Sequence, residues 1–142
     1  MSMFETAAIG NPAYTTTLPR LPESARRARR LVSSALHLWE LEEAEDAALI
    51  VISELVSNAV AHARSESIRV IVTRQDAHVV QLAVVDLSRE LPELRLSGSD
   101  DESGRGLALV DALSDGKWGA ETLPWGKRVW AELTVAKEQP SE

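Results

Sequence analysis

The chain has 142 residues, of which 44% are hydrophobic and 26% charged, so it is not a wholly disordered polymer, and its length suits one domain. Asp and Glu number 22 against 15 Lys and Arg, and the resulting net charge of -7 argues against a nucleic-acid binder that works through overall charge. There are no cysteines, which excludes a disulfide scaffold and any thiolate metal site.

Residues 1–13 show no clear period and are expected to form a flexible tail. Tyr14–Leu18 is β-branched and aromatic, and reads as a short edge strand closed by Pro19 and Pro22. Pro22 and Ser24 then open a helix, with Ser24 as a cap. Its apolar positions are Ala25, Ala28, Val32, Ala35 and Trp39, joined by Leu31 and Leu38. Arg26, Arg27, Arg29 and Arg30 crowd one end of it, as a solvated face or a partner surface. Glu42, Glu43, Glu45 and Asp46 suit the first turn of a second helix, which runs to about Ala63. Leu49, Ile52, Leu55, Val56, Ala59 and Val60 wrap much of that helix, so it is expected to be largely buried.

Two alternating segments follow, Ser67–Arg74 and Val79–Leu87, close enough in sequence to predict an antiparallel hairpin. Ser88–Ser103 is rich in Pro, Ser, Gly and acidic residues and reads as a long loop. A third helix is expected from about Gly106, with Leu107, Val110 and Leu113 inward. Strands near Trp118 and over Lys127–Val135, turning at Leu123–Gly126, precede a polar tail at 136–142. The pattern predicts an α+β two-layer sandwich over residues 14–135: a mixed, mostly antiparallel sheet with helices on one face. The longest apolar region, Ala47–Ala63, carries Ser53, Glu54, Ser57, Asn58 and His62, and Met1–Tyr14 lacks the basic start and apolar run of a signal peptide. A cytoplasmic protein is expected.

Polar groups interrupt the core pattern at three places. Glu54 and Asn58 are four apart on the second helix, with His62 another four on, forming one slowly drifting stripe. An Asn carbonyl can serve magnesium without adding charge, and a nearby Glu can take a proton from a hydroxyl; the same stripe also suits a helix face that simply reaches solvent. Asp86 shares parity with Val80, Leu82 and Val84, so it points to the core side. There it can accept from an exocyclic amine or cap a nearby loop. Glu102-Ser-Gly-Arg-Gly-Leu107 opens the third helix. Glycines and unpaired N–H groups there suit phosphate, and Arg105 adds a fixed cation. No Gly-Lys-Ser/Thr follows, so it is not a P-loop.

Together, in this order, these features resemble the ATP-binding fold of gyrase, heat-shock chaperones, histidine kinases and mismatch-repair ATPases (GHKL, Bergerat-type). Ser53-Glu-Leu-Val-Ser-Asn-Ala-Val-Ala-His-Ala63 looks like its N-box, and Glu102-Ser-Gly-Arg-Gly-Leu-Ala-Leu-Val-Asp-Ala-Leu-Ser114 like its second glycine box. With Gly126-Lys-Arg-Val-Trp-Ala-Glu-Leu133 as closing strand, the wording is similar to the anti-sigma-factor serine kinases and related small ATP-binding regulators of actinobacteria. The resemblance implies ATP and magnesium as cofactors. It implies Asn58 as the magnesium residue, Glu54 as general base toward a partner's Ser hydroxyl, and Asp86 at the adenine amine. Gly104, Arg105, Gly106 and Leu107 would meet the phosphates, and Ser88–Ser103 would form a lid. The implied partners are a sigma factor and an anti-anti-sigma (STAS-type) protein, with homodimerisation and neither nucleic acid nor membrane in direct contact. The alternative is a degenerate module of the same fold that regulates by docking, with weak ATP binding or no transfer.

The sequence departs from the pattern twice. Asp86-Leu-Ser-Arg-Glu-Leu-Pro92 lacks both glycines of the usual Asp-x-Gly-x-Gly. Gly126-Lys-Arg128 stands where the family has Gly-Thr-Thr or Gly-Lys-Thr, so a Thr hydroxyl that could support the adenine contact is expected to be gone, with the bulky cation of Arg128 in its place at the adenine end.

Overall fold

The computed structural model describes residues 5–6, 11–86 and 101–135, with side chains over 11–86 and 106–135. Its elements are β1 (Glu5–Thr6), β2 (Pro12–Pro19), α1 (Ser24–Leu38), a short 3-10 turn (Glu42–Ala44), α2 (Glu45–His62), β3 (Ser67–Asp76), β4 (Val79–Asp86), α3 (Asp101–Leu113), β5 (Trp118–Leu123) and β6 (Gly126–Thr134). The strands form one sheet in the order β1-β2-β3-β4-β6-β5, with every neighbouring pair antiparallel. The expected α+β sandwich is what forms, and its sheet is antiparallel throughout rather than mixed. Glu5–Thr6 and Pro12–Ala13, assigned to the tail from sequence, are strand residues. β2 therefore has a neighbour on each side and is not an edge.

The core lies between one sheet face and the helices. Register sets its rows: Thr16, Val70, Val84 and Val129 are aligned across β2, β3, β4 and β6, and the next row is Tyr14, Val72, Leu82 and Ala131. Leu18, Ile68, Val70, Val72, Val80 and Leu82 are fully buried from the sheet side, and Val32, Leu36, Val51, Ile52, Leu55 and Val56 from the helices. α1 packs on β2 and β3, α2 on β4 and β6, and α3 chiefly on α2. Leu82→Ala in the central strand is expected to cost about 2–5 kcal/mol through lost burial and a residual cavity. Denaturant unfolding checks this as a lower midpoint at unchanged slope.

α1 corrects two sequence expectations. Leu38 is 67% exposed and Leu36 is fully buried. At about 100° per residue, Leu36 lies one step round from Val32 on the stripe, and Leu38 falls well off its centre. Ser24 does not cap the helix: it is buried, and its hydroxyl donates to the Pro19 carbonyl at 2.6 Å. Arg26, Arg27 and Arg30 are exposed, as a solvated face requires, but Arg29 sits at the stripe's edge and donates to Ser53 Oγ on α2 at 3.1 Å. After α1 the chain reverses through Glu40, at φ 57, with Leu41 N–H donating to the Leu36 carbonyl and Glu40 N–H to that of His37. This Schellman closure leads the chain toward α2. At that junction the Ser33 hydroxyl, 2.5 Å from Glu45 Oε2, and His37, 3.1 Å from Oε1, hold the Glu45 carboxyl below the ordinary glutamate range.

The third helix begins at Asp101, five residues ahead of the expected start near Gly106. Residues 101–103, assigned to the lid, are helical; 88–100 lie outside the described residues. The C-terminal turn of α3 is tied to β5 by Trp118 Nε1, which donates to Asp111 Oδ1 at 2.9 Å. Among the described residues no helix is long and apolar enough to cross a membrane.

Candidate functional site

Where the C-terminal half of α2 passes over the ends of β4 and β6, the core opens into a shallow cleft of about 290 Å³, a volume that includes the open solvent at its mouth. Leu55, Ala59, Ala63, Val84 and Val129 supply apolar walls; Asn58, His62, Asp86 and Lys127 supply the polar groups. Apolar walls with a few convergent polar groups are the usual make-up of ligand pockets. α2 builds its side of the cleft through helical spacing. Leu55, Asn58, Ala59 and His62 recur at three and four residues and so share one face.

Asp86 ends β4 on the core face, as its parity predicts. In register it stands between Ile68 of β3 and Lys127 of β6. Its carboxylate is engaged by the α2–β3 connection: Ser65 Oγ lies 2.6 Å from Oδ1, Ser65 N–H donates to Oδ1 at 3.4 Å, and Arg64 N–H donates to Oδ2 at 3.3 Å. Loop capping, one of the two roles open to this residue from sequence, is therefore present. The same carboxylate also lines the cleft.

Glu54 is half-buried and is not part of the cleft lining; it lies one turn toward the start of α2 from Asn58. Its carboxylate rests against α3. A Cβ built on Gly106 would collide with Glu54 Oε1 and lie 3.5 Å from Cδ. A side chain at position 106 would fill the space that the glycine leaves for this carboxylate. Sequence spacing puts Glu54 and Asn58 on one stripe, and the fold turns that stripe toward two places, Asn58 to the cleft and Glu54 to the glycine of α3.

Gly104, Arg105 and Gly106 fall within the first two turns of α3 rather than ahead of it. The unpaired N–H groups of a helix belong to its first four residues, here Asp101 to Gly104. The side chain of Arg105 lies outside those described. Leu107 is half-buried.

The expectation for Arg128 is overturned. Arg128 points to the sheet face without helices, where it donates to Glu121 Oε1 at 2.9 Å and to Gln81. It does not line the cleft. Among the described residues Lys127 does line it, sharing strand parity with the buried Val129 and Ala131. Strand parity alone carries that distinction. Ser65 and Arg20 were not legible in the sequence. Arg20 Nε donates to the Ser65 carbonyl at 2.7 Å and its Nη1 to the Val60 carbonyl at 3.0 Å, across separations of 45 and 40 residues.

Among the described residues no three His, Cys, Asp or Glu groups gather as a metal site. A magnesium ion accompanying a triphosphate needs no such cage, since it keeps waters and phosphate oxygens and takes one or two protein oxygens. The Asn58 side-chain oxygen at the cleft suits that role. The apolar walls suit a flat purine.

An antiparallel sheet with helices on one face, and a cleft between the N-box helix and the ends of two central strands, define an α+β fold of the GHKL (Bergerat) type. The sequence matches the family described as "Histidine kinase-like ATPase domain" over residues 18–121, and the chain belongs to that family. It is a GHKL-type ATP-binding domain, and domains of this kind bind ATP with magnesium. No curated protein matches the chain.

Proposed function

We propose that this protein binds Mg-ATP in the α2–β4–β6 cleft and phosphorylates a serine of an anti-anti-sigma (STAS-type) protein, while sequestering a sigma factor as its second partner. The observation that carries the reading is the pairing of the two motifs. Glu54 of the N-box lies against Gly106 of the second glycine box, and Asn58, one turn on, shares the neighbouring cleft with Asp86.

In this reading ATP supplies the transferable phosphoryl group and magnesium offsets charge on its phosphates. Positioning and charge neutralisation are most of what such a reaction asks of a protein. Asp86 accepts from the adenine amine, and Leu55, Ala59, Val84 and Val129 exclude water from the base. Asn58 gives its side-chain oxygen to magnesium. Gly104, Arg105, Gly106 and Leu107 form the phosphate end. Glu54 takes the proton of the partner's serine hydroxyl.

The docking-only alternative is favoured by Asp86-Leu87-Ser88-Arg89-Glu90, which lacks both glycines of the usual Asp-x-Gly-x-Gly. Of the second ground for it, the bulk of Arg128 at the adenine end falls away because Arg128 is on the other face, while the Thr of the usual pattern is still missing. Calorimetric titration tests the metal assignment. ATP is expected to bind in the micromolar range, and Asn58→Ala to weaken it only when magnesium is present. Equal loss without metal removes Asn58 from the ion.

A further inference from the structure

We propose that Ser65 is a positioning residue for base recognition, holding the Asp86 carboxylate in the orientation that meets the amine of adenine, and that Arg20 fixes Ser65 in turn. The inference rests on the reading of the cleft as an adenine site and adds the group that aims its acceptor.

Asp86 is the last residue of β4. A short side chain at a strand end has several staggered rotamers open to it unless partners select one. Three donors from the α2–β3 connection face it, and their distances rank them. The amides of Arg64 and Ser65, at 3.3 and 3.4 Å, are longer than the usual range for N–H···O, about 2.7–3.2 Å. The Ser65 hydroxyl, at 2.6 Å, is well inside the range for O–H···O. Of these three donors the hydroxyl is the closest restraint.

That hydroxyl has one proton and two acceptors in reach, Asp86 Oδ1 at 2.6 Å and the Ser67 carbonyl at 2.5 Å. Charge-assisted bonds are the stronger class, so the carboxylate takes the larger share. Ser65 is itself pinned. Arg20, just past the end of β2, grips its carbonyl through Nε, grips Val60 near the end of α2 through Nη1, and donates its own N–H to the Glu66 carbonyl at 2.8 Å. A fixed guanidinium thus ties α2, the connection and the sheet together beside the carboxylate. The bonds that cap the loop are the bonds that aim Asp86 along the cleft edge, so both roles left open by the sequence belong to one arrangement.

The test compares ATP with purine riboside triphosphate, the same nucleotide without its 6-amino group, each with magnesium, on wild type, Asp86→Asn, Ser65→Ala and Ser65→Thr. Wild type is expected to prefer ATP. Ser65→Ala is expected to lose about five- to tenfold in ATP affinity, with binding of the amine-free analogue unchanged, moving the preference toward that of Asp86→Asn. Ser65→Thr, which keeps the hydroxyl, is expected to retain it. A wild-type preference in Ser65→Ala, or tighter ATP binding because the hydroxyl competes with the base, overturns the proposal. Equal loss of both nucleotides in that variant overturns it too, as a merely structural effect. If wild type binds ATP without preferring it to the analogue, the adenine role of Asp86 fails. If wild type binds neither, the nucleotide reading of the cleft fails, and in both cases the role of Ser65 falls with it.

Discussion

Glu54→Gln is expected to lower phosphate transfer to the partner serine by about 10²- to 10⁴-fold, the usual worth of a positioned general base, with Mg-ATP affinity largely retained. Gln keeps the size of the side chain and a carbonyl oxygen, so the packing against Gly106 survives. What it cannot do is take up a proton. Asn58 and Asp86 line the cleft and Glu54 does not, which is why binding and transfer should separate in this variant. The assay is labelled phosphate appearing on the co-purified partner, beside calorimetry of the variant. Transfer at the wild-type rate would mean that the proton goes elsewhere.

The second large effect comes from a single methyl group. Gly106→Ala is expected to leave the fold as stable as wild type or up to about 1 kcal/mol more stable, because Ala is the better helix residue by that amount, and yet to reduce transfer nearly as far as Glu54→Gln does. Position 106 is within α3, so the backbone gains from the change. The added Cβ meets the far end of a flexible carboxylate rather than backbone, so Glu54 swings aside at little cost to folding. The carboxylate is then displaced from its place. Thermal melting and transfer, measured on the same preparations, should move independently. If both changes act through the carboxylate, the double variant with Glu54→Gln should be hardly worse than either single one. Additive losses would show that Gly106 acts apart from Glu54, through direct approach to phosphate.

What could be read from the sequence followed from local periodicity. The two hairpins are short-range features, and alternation in β3, β4 and β6 gives both the pairing and the buried face. The three-and-four spacing of Leu55, Asn58, Ala59 and His62 gives the cleft side of α2. Parity puts Asp86 on the core face, and the same parity applied to β6 separates Lys127 from Arg128. Local pattern fails where distant contacts decide. Gly104 and Gly106 are poor helix formers, which makes the segment before Leu107 read as loop, yet α3 extends back to Asp101. Its packing on α2, with Gly106 making room for Glu54, is a tertiary contact across more than fifty residues of chain. Ser65 reaches Asp86 across 21 residues and Arg20 reaches Ser65 across 45. No period in the sequence reports such contacts. Leu38 is a plainer case: an apolar residue at the end of a helix was assigned to a stripe that its angle excludes.

The most direct test of the central claim is an amide NMR titration of the protein with Mg-ATP. Saturable, concerted shifts are expected at Asn58 and its neighbours on α2, at Asp86 and Lys127 on the paired strand ends, and at Gly106 on α3, with smaller changes on the helix-free sheet face around Arg128. Shifts confined to that opposite face, or no saturable shifts at Asn58, Asp86 and Gly106, would contradict it.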